Sequence, residues 1–116
     1  MGDHLDKIRD LRGPTIALRD QIPDTWGGFA QLNKQALADG ALSTKVKELM
    51  ALAISVAEGC DGCIAYHASG SVRAGATEEE AAEAIGVALL MRGGPATDYG
   101  PRALEAVQEF IERKRT

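Results

Sequence analysis

Residues 43–67 read STKVKELMALAISVAEGCDGCIAYH, from Ser43 to His67. From Val46 to Ala57 this stretch is apolar almost all round, with no period-2 alternation, so it predicts a helix buried on most sides. Ser43 is a suitable N-cap for a helix from Thr44 to about Ala57, and Gly59 ends it. A second helix, from about Cys60 to Ala74 and closed at Gly75, then carries Cys60, Cys63 and His67. Residues three and four apart share a helix face, so two thiols and an imidazole would fall on one stripe.

Outward from this core the chain reads as helical at every point. Leu5, Ile8 and Leu11 recur at helical spacing until Gly13-Pro14, where a break or kink is expected. A second element from about Asp24 to Asp39 presents Trp26, Phe29, Ala30, Asn33, Ala36 and Leu37 along one side, with Gly40 as its C-terminal cap. Trp26 and Phe29 read as core or subunit contacts. Thr77 and Glu80 have the spacing of a capping box opening a fifth helix, which Arg92-Gly93-Gly94-Pro95 stops. A last helix between Ala96 and Arg113 carries Leu104, Val107 and Ile111. The expected fold is all-α: one compact domain spanning residues 1–116, with about six helices.

Composition narrows the function classes. A chain of 116 residues with net charge −4 offers no electrostatic case for nucleic acid or an anionic membrane. No apolar run approaches the ~20 residues that span a bilayer, and Met1-Gly2-Asp3-His4-Leu5-Asp6 does not resemble a secretory signal. A cytoplasmic protein is expected, and there a close cysteine pair is catalytic or metal-binding more often than structural.

The cysteines therefore carry the chemistry. Cys60 and Cys63, the chain's two cysteines, have dithiol–disulfide spacing, with a base four residues beyond Cys63 at His67. Zinc would need a fourth ligand, for which His4 and Asp61 are poorly placed. A disulfide across so short a loop would add little stability, which weighs against a purely structural role. Glu58 and Asp61 read as solvated helix-end residues, and Tyr66 as a packing residue. Glu48 is ambiguous: it either escapes to solvent beside Lys45 and Lys47 or lies buried among apolar neighbours, where a carboxylate needs a partner. The helix N-terminus favours Cys60 as the activated thiol, whereas a base one turn on favours Cys63.

Glu48, eleven intervening residues, then Cys60, Cys63 and His67 resemble the signature of the alkylhydroperoxidase D-like group within the carboxymuconolactone decarboxylase family. Lys47-Glu48-Leu49-Met50-Ala51-Leu52-Ala53, Cys63-Ile64-Ala65-Tyr66-His67, Ala74-Gly75-Ala76-Thr77 and Gly93-Gly94-Pro95-Ala96 are similar too, so the likeness covers roughly residues 23 to 112. The resemblance implies an alkylhydroperoxidase D-like fold in which Cys63 is the peroxide-reactive thiol and Cys60 its resolving partner. It makes His67 the base that activates the thiol and Glu48 the acid that orients that base. It also implies a hydroperoxide substrate, a dithiol reductant such as a lipoyl domain or thioredoxin-like protein, and no metal or other cofactor. A dithiol-exchange or redox-sensing module with little peroxidase activity is the alternative. One position departs: well-studied members carry a second histidine directly before the inner cysteine, where this chain has Gly62. True carboxymuconolactone decarboxylases lack the cysteine pair. The family's larger members fuse two such units and trimerise, so a single unit is expected to form a homohexamer, a trimer of dimers. The apolar helix from Thr44, too apolar for a small monomer, agrees with that.

Overall fold

The computed structural model describes residues 2–116. These fold into α1 (Asp3–Gln21), α2 (Pro23–Ala36), α3 (Thr44–Glu58), α4 (Asp61–Arg73), α5 (Glu78–Arg92) and α6 (Gly94–Arg115), with no strand among the described residues. The all-α expectation holds. Helices α3 to α6 pack together as the core, and α1 lies mainly against α4. No helix among the described residues is long and apolar enough to cross a membrane.

The core is built from few large side chains and many alanines. Leu52, Val56, Ile64 and Val107 are fully enclosed, and Ala68, Ala81, Ala88, Ala96, Ala103 and Ala106 lie between them. Small side chains at helix contacts let the axes approach closely, because interaxial distance follows side-chain size. Helices α3 and α4 pack directly on each other, and the site described below spans them.

Several local signals act as the sequence predicts. Ser43 Oγ accepts the Val46 N–H at 3.2 Å, and Gly59 closes α3 in the left-handed region at φ 69°. Thr77 and Glu80 form a reciprocal capping box: Thr77 N–H donates to Glu80 Oε1 at 2.9 Å and Glu80 N–H to Thr77 Oγ1 at 3.1 Å.

Other boundaries are corrected. Gly13-Pro14 does not break α1, which runs on to Gln21 with Pro14 inside it. A proline removes a single backbone donor, and on this largely exposed helix the carbonyl left free lies within reach of solvent. The break falls instead at Ile22, whose φ of −134° and ψ of 59° leave the helical region, as expected directly before Pro23. Helix α2 stops at Ala36 with Leu37 at its end, so Gly40 is not its cap. Gly93 ends α5, but Gly94 and Pro95 already form the first turn of α6, where proline's missing N–H has no helical partner to lose.

Helix α3 is also less enclosed than its composition predicts. Glu48, Leu52, Ser55 and Val56 are buried, whereas Met50 and Ile54 remain 49% and 59% exposed in the single chain. On α5, Leu90 and Met91 are 81% and 77% exposed.

The start of α1 is tied to α6. Glu109 accepts the His4 and Leu5 backbone N–H groups at 3.1 and 2.9 Å, and His4 Nε2 lies 2.9 Å from Glu105 Oε1. Burial pushes the Glu109 carboxyl pKa up, but the N–H groups of Leu5 and His4 outweigh it and hold the group below the usual carboxylate range. A carboxylate with a lowered folded pKa stabilises the fold above its unfolded pKa, and that contribution fades as pH falls through the folded value. Glu109→Gln should therefore cost about 1–3 kcal/mol at neutral pH, the scale of hydrogen bonds to a charged group. The cost should shrink as pH falls below about 4.5, the ordinary value of a glutamate. Urea midpoints of both proteins at pH 7 and pH 3 measure this, and an equal gap at the two values would refute it.

Candidate active site

Cys60 is not on the cysteine helix but directly before it. Its extended backbone, φ −107° and ψ 100°, makes it the N-cap of α4, where its Sγ accepts the Cys63 N–H at 3.2 Å. Sulfur here takes the place usually held by a serine or aspartate oxygen. Cys60 and Cys63 are joined as a disulfide, their Cα atoms 5.2 Å apart. The expected stripe therefore comprises Cys63 and His67, one turn apart, with Cys60 facing Cys63 from the cap.

Glu48 resolves toward the interior. It is 6% exposed, and its Oε1 lies 2.8 Å from His67 Nδ1, joining α3 to α4. A carboxylate can only accept, so Nδ1 carries the hydrogen and Nε2 is left as the ring's basic nitrogen.

Gly70, one turn beyond His67, makes this pairing possible. A Cβ on Gly70 would lie within 2.8 Å of Glu48 Cδ and both its carboxylate oxygens. Nothing larger than hydrogen fits there while Glu48 faces His67. The sequence reading passed over Gly70, although a signal was present. A glycine inside a helix costs up to about 1 kcal/mol against alanine, and this one shares a face with His67.

Glu48, Cys60, Cys63 and His67 all line one cavity of about 580 Å³. Leu11 of α1 and Trp26, Phe29 and Leu37 of the α2 region supply its apolar wall. Trp26 and Phe29 are therefore not core residues, since nothing in α2 is buried; their ring centroids stand 6.5 Å apart at the cavity. Tyr66 is 45% exposed and also lines the cavity rather than packing away from it. Gly62 faces α1, and a Cβ there would meet Leu11 Cδ1 at 3.4 Å. A side chain at that position would sit in ordinary contact with Leu11 and at the edge of the cavity. Glu58 and Asp61 are exposed, as expected of helix-end residues, and His4 is buried at the α1–α6 contact, away from the cysteines.

Residues 23–109 match the family model described as the carboxymuconolactone decarboxylase family. The chain belongs to the carboxymuconolactone decarboxylase family. Among solved structures, a carboxymuconolactone decarboxylase family protein from Legionella pneumophila, in its apo form, superposes with a TM-score of 0.92 at 39% identity. That match covers 96% of this chain and 99% of the Legionella chain. A family member from Thermotoga maritima aligns with a TM-score of 0.72 at 34% identity, over 78% of this chain and 94% of that one. Involvement in an antioxidative response is given for that protein as a possibility. An uncharacterised protein of Cupriavidus necator is 40% identical over 98 residues, which is 84% of this chain and 87% of its own length. This family membership fits the six-helix fold, and the cysteine pair marks the chain off from the members that lack one.

Proposed function

We propose that this family member is a thiol-dependent oxidoreductase of the alkylhydroperoxidase D-like kind, reducing hydroperoxides through the Cys60–Cys63 couple. The observation that carries the reading is the pairing of buried Glu48 with half-buried His67, 2.8 Å apart, opening on the same cavity as the disulfide. Each step balances. In the reduced protein His67 takes the Cys63 proton, and the thiolate attacks the distal peroxide oxygen. The O–O bond breaks, the alkoxide leaves as an alcohol with that proton, and Cys63 becomes a sulfenic acid. Cys60 displaces hydroxide from the Cys63 sulfur, forming the disulfide and releasing water. A dithiol reductant, such as a lipoyl domain or a thioredoxin-like protein, then restores both thiols by exchange.

The two cysteines have separate means of activation. The Cys63 N–H and the start of α4 favour a thiolate at Cys60, and His67 serves Cys63. Cys60→Ser should still consume one equivalent of peroxide and leave a trappable sulfenic acid at Cys63, with no turnover. Cys63→Ser should give none. Sulfenic acid on Cys60 in the second variant would reverse the roles. The alternative, a dithiol-exchange module, draws on the capped Cys60 sulfur and on Leu11 lying against Gly62. Steady-state peroxide consumption with a dithiol donor separates the two, because the exchange module would reduce disulfides and leave peroxide largely untouched.

The assembly belongs to the same proposal: a homohexamer arranged as a trimer of dimers. Leu90, Met91, Ile54 and Met50 are large apolar side chains left well exposed in the single chain, and contact between copies would take them out of water. Leu90→Asp should lower the particle mass measured by light scattering while the helical signal persists. An unchanged mass would remove the α5 face from the interface.

A further inference from the structure

The cavity over His67 is unbalanced in charge. Glu48 is the one acid in its lining, and His67 already engages it; Arg73 is the one lysine or arginine. Arg73 Nη1 donates to Ser69 Oγ at 3.3 Å, and among the described residues the guanidinium forms no ion pair. Arg73 is exposed to solvent and belongs to the cavity lining. That hydrogen bond also folds the side chain back one turn, to the level of residue 69. Six residues then separate it from Cys63, or about 9 Å along the helix axis at 1.5 Å per residue. Tyr66, Leu11, Trp26 and Phe29 line the same cavity. Hydrogen peroxide, scarcely larger than water, would fill little of about 580 Å³ and make no use of these walls.

We infer that the site takes an organic hydroperoxide with an apolar body and a carboxylate at the far end. The carboxylate pairs with Arg73, the chain lies against Trp26 and Phe29, and the peroxide group reaches Cys63. The product is the corresponding hydroxy acid, by the same two-electron step. The reacting end rests on the peroxidase reading; the anion subsite at Arg73 does not.

Trp26 is the chain's single tryptophan and lines this cavity, so it reports occupancy directly. In the disulfide form, where no turnover occurs, octanoate and octanol are titrated while Trp26 fluorescence is followed. Octanoate should saturate the signal with an affinity about tenfold above that of octanol, the scale of one charge-assisted pair. Arg73→Met should bring the ratio of the two affinities close to one. Equal affinities in the unmodified protein, no saturable signal with either probe, or a ratio unmoved by Arg73→Met would each overturn the subsite.

A second arm compares kcat/KM for a carboxylated alkyl hydroperoxide, cumene hydroperoxide and hydrogen peroxide, with a dithiol donor. A preference for the carboxylated substrate that Arg73→Met removes supports the proposal. Octanoate binding with no peroxide turnover would refute the peroxidase reading and leave the anion subsite standing. Turnover without preference, and without octanoate binding, would do the reverse.

Discussion

Replacing Glu48 by Gln should slow the reaction of Cys63 with peroxide by a factor on the order of 10² to 10⁴, the usual cost of losing general-base assistance. The amide matches the carboxylate in shape and can still hydrogen-bond His67 Nδ1, so the fold should persist. What it lacks is charge. When His67 takes the thiol proton, the imidazolium faces a neutral amide instead of a largely buried carboxylate at 2.8 Å. The amide can also donate through its NH2 group, so it no longer fixes which ring nitrogen carries the hydrogen. Iodoacetamide alkylation of Cys63, followed across pH in the reduced protein, should show a reactivity midpoint moved upward. An unchanged midpoint together with an unchanged peroxide rate would reduce Glu48 to a structural residue of α3.

Gly70→Ala should have an effect whose sign depends on Glu48. With Glu48 present, the new methyl overlaps the carboxylate, and overpacking of this kind costs about 1–3 kcal/mol. Higher helix propensity returns up to about 1 kcal/mol, so the net effect is a loss. The displaced carboxylate would also leave His67, and the peroxide rate should fall toward that of Glu48→Gln. In a Glu48→Ala background the obstruction is gone. There Gly70→Ala should be neutral or stabilising, by up to about 1 kcal/mol. Urea midpoints for the four proteins, all in the same redox state, close this double-mutant cycle. Additive effects would show that the glycine serves some purpose other than seating the carboxylate.

How much of this was legible beforehand depends on the range of the interaction that decides each feature. The caps at Ser43 and Thr77 were readable because each is settled within four residues, by a side chain and the N–H groups beside it. The break at Ile22 was misplaced to Gly13-Pro14 because proline's local cost was weighed without the solvent that covers it on an exposed helix. The spacing of Cys60, Cys63 and His67 was plain. That Cys60 caps the helix instead of joining it depends on a one-residue difference in where the helical turn begins. Glu48 was open for a different reason: its direction is set by α4, nineteen residues away, and by the absence of a Cβ at Gly70. No periodicity within α3 carries that information. The apolar wall from Leu11, Trp26 and Phe29 was likewise illegible, because it requires knowing that α1 packs on α4 and α2 on α1, outside the core.

The clasp between α1 and α6 has a consequence for the order in which the protein is completed. His4 bonds to Glu109 across 105 residues of sequence. A chain made from its N-terminus presents α1 to solvent before the carboxylates that hold it have been polymerised. Contacts this distant in sequence also carry the largest loop-closure cost, so they form late even when a full-length chain refolds. Helices α3 and α4, adjacent in sequence, can pair early and bring Glu48 to His67. The Leu11 side of the cavity rests mainly on α4, and the start of α1 gains its anchor once α6 exists. The clasp is thus among the last contacts a growing chain can make, and it fixes the end of α1 farthest in sequence from α6.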